Sequence, residues 1–260
     1  MSVDYNNFAT TFSQSRKNMK WEEIDYFIDF LKNQNPSPAR GRLGGGWVSI
    51  LDVGCWNGRL LEHIENIEVP LNKGENLSGC EGRWISIANY LWTDLSVWLI
   101  DEAKKLHPNH NFQVIDMLDL QKLQFESTPL IKGARGFSHT EKFDSIFFIA
   151  SFHHLHTIEE RLKVLKQAKK LLKPDWVIFM TNWALNSELN SEKYKNSVIE
   201  KSENEFWSED YNIKIGEFTR FYHCFSLKEL GFLFKETWFE VIENRLFENG
   251  RNWVSIIENR

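Results

Sequence analysis

The segment Val48-Ser-Ile-Leu-Asp-Val-Gly54 is a short apolar run that stops on an acid and a glycine, and Gly58 follows just ahead of an amphipathic stretch from Arg59 to Ile64. An apolar run of that length bounded by turn residues reads as a buried strand, and the helical spacing after it marks a helix. The alternation then repeats. Candidate strands at Ile85–Leu91, Phe112–Ile115, Asp144–Ala150 and Val177–Thr181 are separated by candidate helices at Leu95–Leu106 and Ile158–Leu172 and by a long loop from about Gln121 to Lys142. Parallel strands cannot be joined by a tight turn, so this order predicts an α/β chain with a doubly wound, mostly parallel sheet. Thr157-Ile-Glu-Glu160 has capping-box spacing before the helix at 158–172, and Lys173-Pro174 closes it.

Toward the N-terminus, residues 3–32 place Phe8, Phe12, Ile24, Phe27, Ile28 and Leu31 at helical spacing, with Trp21 opening the second of two helices. Asn33 to Gly46 holds two Pro and four Gly and reads as a connector. Residues 1–46 are therefore expected to form an N-terminal helical lid and linker, and 47–260 the main domain with an insertion near 186–225. Two closing runs, Phe239–Phe247 and Asn252–Glu258, read as a hairpin that completes seven strands with an antiparallel edge strand.

Composition removes several function classes. With 42% apolar and 26% charged side chains over 260 residues, disordered, collagen-like and disulfide-scaffold classes are set aside. No uncharged apolar run of about 18 residues is present, and the start Met-Ser-Val-Asp-Tyr lacks a basic end followed by an apolar stretch. The expected location is the cytoplasm, with no membrane partner. Cys55, Cys80 and Cys224 are widely spaced and form no Cys-x-x-Cys pair, which argues against both disulfides and a cysteine zinc site. A net charge of −5 supplies no general attraction for a phosphate backbone.

Open parallel sheets bind ligands beyond the carboxyl ends of their strands. The acids fall there: Asp52 with Gly54 after the first strand, Asp94 after the second, Asp116 after the third, and Ser151, His153 and His154 after the fourth. A carboxylate after the second strand can accept both hydroxyls of a ribose, and Asp116 can reach an adenine amino group. Together they outline a nucleoside-shaped slot. The loop Leu51-Asp-Val-Gly-Cys-Trp-Asn-Gly58 departs from the Gly-x-Gly-x-x-Gly of dinucleotide sites, which leaves an NAD-dependent dehydrogenase a distant reading. It resembles instead the Asp-x-Gly-x-Gly-x-Gly loop of class I S-adenosylmethionine (SAM)-dependent methyltransferases, with Trp56 at the middle glycine.

The resemblance covers most of residues 47–183, through Thr93-Asp-Leu-Ser96, Phe112 to Asp119, Phe143-Asp144 to His154, and Leu171-Leu-Lys-Pro174. It implies a Rossmann-like fold, SAM as cofactor, and cofactor contacts from Asp52, Gly54, Cys55, Trp56, Asn57, Gly58, Asp94, Leu95, Ser96, Asp116, Met117, Ala150 and Ser151. His153 or His154 is the candidate catalytic base near the methyl group. The cluster His153, His154 and His156 has no acid or Cys at ligand spacing, so no metal site is expected.

A finer resemblance lies outside that core. Tyr5 to Arg16 with Lys20-Trp21, Ser151-Phe-His-His-Leu-His156, Arg220-Phe-Tyr-His-Cys-Phe225 and Asn252-Trp253 are similar to segments of the tRNA wobble-uridine carboxymethyl methyltransferases. That likeness implies a carboxymethylated uridine as acceptor, tRNA as partner and a small activator subunit. Arg16, Arg220, Tyr222 and His223 are candidates to hold an anionic substrate, since Arg offers paired donors, and Tyr5, Phe8, Phe12 and Arg16 are read as a lid over the cofactor. A small-molecule acceptor is the alternative. The basic run Arg161, Lys163, Lys166, Lys169, Lys170 and Lys173 reads as the solvated face of its helix.

Eleven Trp against 14 Gly is an unusual ratio, since glycine alone usually runs at about 7%. Trp56, Trp92, Trp98, Trp176 and Trp238 stand where the resembled pattern or a turn expects glycine, and Trp47 and Trp84 go with them. Trp21, Trp183, Trp207 and Trp253 lie where an aromatic is natural. The reading is that UGA codons here specify glycine. With Trp56 genuine, a non-catalytic scaffold on the same fold is the alternative.

Overall fold

A computed structural model describes residues 21–33, 46–65, 85–125, 142–201 and 205–260. On β4 (Phe143–Ile149) every residue is buried, which alternation alone cannot produce unless both faces of the strand are covered. Phe147 and Ile149 meet Ile24 and Phe27 of α1 (Glu22–Asn33), Leu60 and Leu61 of α2 (Arg59–Glu65), and Ile100 and Ala103 of α3 (Val97–Leu106). Ile146 and Phe148 face the other way, onto Val164 and Leu165 of α4 (Ile158–Leu171). The sheet is therefore doubly wound.

β1 (Gly46–Val53) pairs in parallel with β2 (Ile85–Asp94) and β4, β2 pairs with β3 (Asn111–Val114), and β4 pairs with β5 (Leu172–Trp183). The full order is β3-β2-β1-β4-β5-β10-β9. At its margin β10 (Asn252–Glu258) runs antiparallel to both β5 and β9 (Glu240–Leu246). This is the predicted seven-stranded, mostly parallel Rossmann-like sheet closed by a hairpin.

The insertion builds a sheet of its own. β6 (Val198–Lys201), β7 (Glu209–Ile215) and β8 (Phe218–Cys224) pair antiparallel in that order, after a short α5 (Ser191–Tyr194). α6 (Leu227–Glu236) follows β8 and packs on α4.

Two expectations change. Arg161 is not on a solvated face: it is buried and its guanidinium donates to Glu229 Oε1 (2.9 Å) and to the carbonyls of Leu155 (3.0 Å) and His156 (3.1 Å). The spacing of the basic run concealed this, because the partner lies on α6, 68 residues on. Of the expected lid over 1–46, α1 is a core helix: Ile24 and Phe27 are fully buried, and the buried Glu23 accepts from Asn252 (2.7 Å) and Asn249 (3.0 Å). Arg16 and the remaining lid residues, the linker at 34–45, Cys80 and Trp84 lie outside the described residues.

Candidate cofactor and acceptor site

β1 ends in Val53 and the chain turns sharply at Gly54, whose φ is +73°. A Cβ there would lie 2.4 Å from Ser151 Cβ, so only glycine fits between the ends of β1 and β4. Ser151 reinforces the closeness by donating from Oγ to the Val53 carbonyl (2.6 Å). The N–H groups of Gly54 and Cys55 both donate to the Thr93 carbonyl (2.8 and 2.9 Å), which fastens the loop to the end of β2. Gly58, at φ +90° beside the His107 ring, opens α2.

Asp94 ends β2 in the crook of this loop. One carboxylate oxygen accepts from Trp56 N–H (3.0 Å) and the other from Ser96 N–H (2.9 Å). Each oxygen keeps a lone pair for one further donor, as two ribose hydroxyls require. Burial raises the Asp94 carboxyl, while those two N–H bonds and the charges of Arg220 and Arg59 oppose the rise. Asp116 follows β3, where one oxygen caps the next turn by accepting from Leu118 N–H (2.9 Å), leaving the other for an amino group. Leu95 is exposed beside Asp94, Ser96 caps α3, and Met117 is half-buried next to Asp116.

Asp52 lies deeper. It is 1% exposed, its Oδ2 accepts from Tyr90 (3.3 Å), and burial pushes its carboxyl up to about 7 against the pull of Arg59. Cys55 is buried too, and its thiol is pushed well above its usual range, first by burial and then by Asp52 and Asp94. Asn57 is half-buried in the loop. Arg59 is the residue the sequence reading passed over: its guanidinium sits 4.6 Å from the Trp21 ring centre and 5.2 Å from that of Trp56, and it donates to the Ile149 carbonyl. A signal existed, because a cation at a helix N-terminus opposes the macrodipole and calls for another partner.

The two candidate bases are distinct. His153 is buried and its Nδ1 accepts from Trp183 N–H (3.2 Å), which leaves the proton on Nε2. His154 Nδ1 lies 2.9 Å from the Phe221 carbonyl; a carbonyl only accepts, so Nδ1 carries the proton and Nε2 keeps its lone pair. Burial first, then Arg220 and His153, hold His154 well below the usual histidine range. It is a neutral base at ordinary pH. Ala150, just before, takes φ +49° and donates to Thr181.

β8 carries Arg220 and Tyr222 to this end of the sheet. The Tyr222 ring is buried, stacks on Trp183 (5.1 Å, 15°), lies 4.7 Å from His154, and has the Arg220 guanidinium 5.7 Å from its centre. His223 does not join them. Its Nδ1 meets Asp210 (2.6 Å) and its Nε2 meets Glu229 (2.8 Å), so both ring nitrogens are spent tying β8 to β7 and α6. Neighbouring strand residues point to opposite faces, which separates His223 from Tyr222.

A strand-end site with an acid after β2, an acid after β3 and a glycine loop after β1 can be placed among known proteins. Residues 51–177 match the family model described as "Methyltransferase domain". Over those residues, just under half of its length, the chain is similar to a methyltransferase domain. It is 26% identical over 193 residues to the mouse tRNA (carboxymethyluridine(34)-5-O)-methyltransferase ALKBH8, a match over 74% of this chain and 21% of that protein. The chain thus spans about a fifth of the length of that relative. In fold it is similar to a SAM-dependent methyltransferase from Clostridium acetobutylicum (TM-score 0.57, 14% identity, 98% of each chain). It is likewise similar to the SAM-bound amino pentose methyltransferase CalS10 from Micromonospora echinaspora (TM-score 0.55, 13% identity, 96% of each chain).

One side chain within residues 51–177 disagrees with its own backbone. Asp94, Asp116, Gly54, Gly58 and Ser151 gather at the strand ends, and beside them the Trp56 indole, 6% exposed, packs with Leu99 and against Trp98, Ile215 and Phe218. It thereby joins α3 to the β7–β8 hairpin of the insertion.

No helix among the described residues is long and apolar enough to cross a membrane.

Proposed function

We propose that the chain is a SAM-dependent methyltransferase whose acceptor is a carboxylate, the carboxymethyl group of a modified wobble uridine in tRNA. The observation that carries this reading is the placement of Arg220. Its guanidinium lies 5.7 Å from the centre of the Tyr222 ring, which is itself 4.7 Å from that of His154, so a cation stands on the acceptor side near the candidate base, where its charge acts on Asp94 as well. Guanidinium pairs with carboxylate through two parallel donors, and a carboxylate needs no base to act as nucleophile. SAM supplies an electrophilic methyl group; the chain supplies the ribose acid, the positive clamp and the dry aromatic floor of Tyr222 and Trp183. Likeness over 193 residues to a mouse enzyme named for this substrate supports it.

A second reading rests on His154. Its bare Nε2 suits deprotonation of a hydroxyl or amine, as a small-molecule acceptor would require. The test incubates the protein carrying glycine at position 56 with radiolabelled SAM and either carboxymethylated tRNA or free small acids and amines. Base-labile label in tRNA, lost in Arg220→Ala, is the expected result. Label in small amines alone, lost in His154→Ala, overturns the tRNA reading. A small activator subunit is part of the proposal where label appears only after its addition, and the cytoplasm, where tRNA is found, is the proposed location.

A further inference from the structure

Among the described residues, three tryptophans stand in the left-handed region: Trp56 at φ +58°, Trp207 at φ +58° and Trp238 at φ +60°. A bulky side chain there is a genuine outlier, because its Cβ crowds the following carbonyl, whereas glycine enters the region without strain.

Trp238 is the clearest case. α6 ends at Glu236 and is capped by Thr237; Trp238 N–H then donates to Lys235 (3.0 Å) and Phe239 N–H to Phe234 (3.0 Å). These two bonds are the paired hydrogen bonds of a Schellman motif, and Trp238 holds the position after the cap that glycine usually fills. Phe234 and Phe239 are both buried at the motif's apolar contact. The Trp238 side chain itself is 81% exposed, so burial offsets little of its strain. Trp207 repeats the pattern at the entry to β7, left-handed and 77% exposed. Trp56 lies between two left-handed glycines, Gly54 and Gly58, and its side chain packs between α3 and the β7–β8 hairpin beside Asp94.

The other doubtful positions behave differently. Trp92 is fully buried in β2, stacked on Phe112 (4.3 Å, 12°), and neither it nor Trp98 nor Trp176 takes a positive φ. In Pro174-Asp175-Trp176 the left-handed residue is Asp175 (φ +63°). For Trp92, Trp98 and Trp176 the backbone does not ask for glycine.

We infer that positions 56, 207 and 238 are glycine in the native polypeptide, specified by UGA codons that its cells read as glycine. UGA differs from the glycine codon GGA by one base, and one reassignment accounts for three unrelated turns: the loop after β1, a strand entry and a helix end. The slot is then open in the native enzyme. The cofactor consequence rests on the methyltransferase reading; the backbone argument at 207 and 238 does not.

The test is peptide sequencing by mass spectrometry of the native protein from its own cells, with the codons read alongside. Glycine at 56, 207 and 238, each encoded by UGA, is the expected result. Tryptophan in those peptides, or UGG at those codons, overturns the inference whatever the protein binds. A second arm uses the recombinant chain: Trp207→Gly and Trp238→Gly should each raise the melting temperature by about 2–4 °C, and a fall in both contradicts the backbone argument. Glycine in the peptides together with no SAM binding by the native protein would leave this inference standing and remove the methyltransferase reading.

Discussion

The two sides of the slot are built by different physics. On the cofactor side, β1, β2 and β4 end in a loop fixed by backbone geometry: left-handed glycines, two N–H groups on the Thr93 carbonyl, and a contact that excludes any Cβ at residue 54. On the acceptor side, the β6–β8 sheet is tied to α4 and α6 by buried charge, with Arg161, Glu229, His223 and Asp210 in one chain of contacts and Ser208 also on Glu229. A backbone device tolerates variation in most side chains but not at its glycines. A charge network tolerates none of its members being lost alone, because the survivor is left buried without its partner.

The comparison breaks first at the charge network. Glu229→Gln leaves Arg161 and His223 facing a neutral amide and is expected to destabilise the fold by about 3–5 kcal/mol in urea unfolding. A loss below about 1 kcal/mol would mean that apolar packing, not charge, holds the insertion.

The two sides also respond oppositely to pH. Burial raises Asp52 from 3.8 to about 7, so its contribution to stability is present below about pH 4 and is lost as pH rises through 7. For Glu229 burial pushes upward, but His223 and Arg161 outweigh it and hold the carboxyl below its usual value of 4.5, so that contribution is present above 4.5 and is lost in acid. Asp52→Asn is expected to gain stability on the order of a few kcal/mol over the parent above pH 7, with the gap closing by pH 4. Parallel melting curves across that range would refute the assignment.

The smallest effect sharpens the division rather than breaking it. Arg220→Ala should raise the acceptor KM by about 10–100-fold, the scale of a hydrogen bond to a charged group, while SAM affinity changes little. Equal losses in both would place Arg220 on the cofactor side.

These differences explain what the sequence reveals. Strand, glycine turn and helix repeat at fixed local offsets, so Asp52, Gly54, Gly58, Asp94 and Asp116 are legible as strand-end residues of one sheet. Ser151 is legible by place, though not its hydroxyl bond to Val53. The acceptor side depends on pairs far apart in the chain: Arg161 with Glu229, and His154 with Phe221. Spacing along α4 assigns Arg161 to solvent, and adjacency in Arg220-Phe-Tyr-His223 groups His223 with Tyr222, although strand alternation sends them to opposite faces. Among the tryptophans, the pattern finds 56 and 238 because a motif surrounds each, and misses 207, whose turn carries no motif.

The most direct measurement is calorimetric titration of SAM into the chain as written and into Trp56→Gly. The proposed cofactor site, with the Trp56 indole as its obstruction, predicts SAM binding by the glycine form, with affinity at least about tenfold tighter, or 1.4 kcal/mol, than that of the tryptophan form. Equal binding by the two would show that the indole does not occupy the slot, and binding by neither would contradict the cofactor site itself.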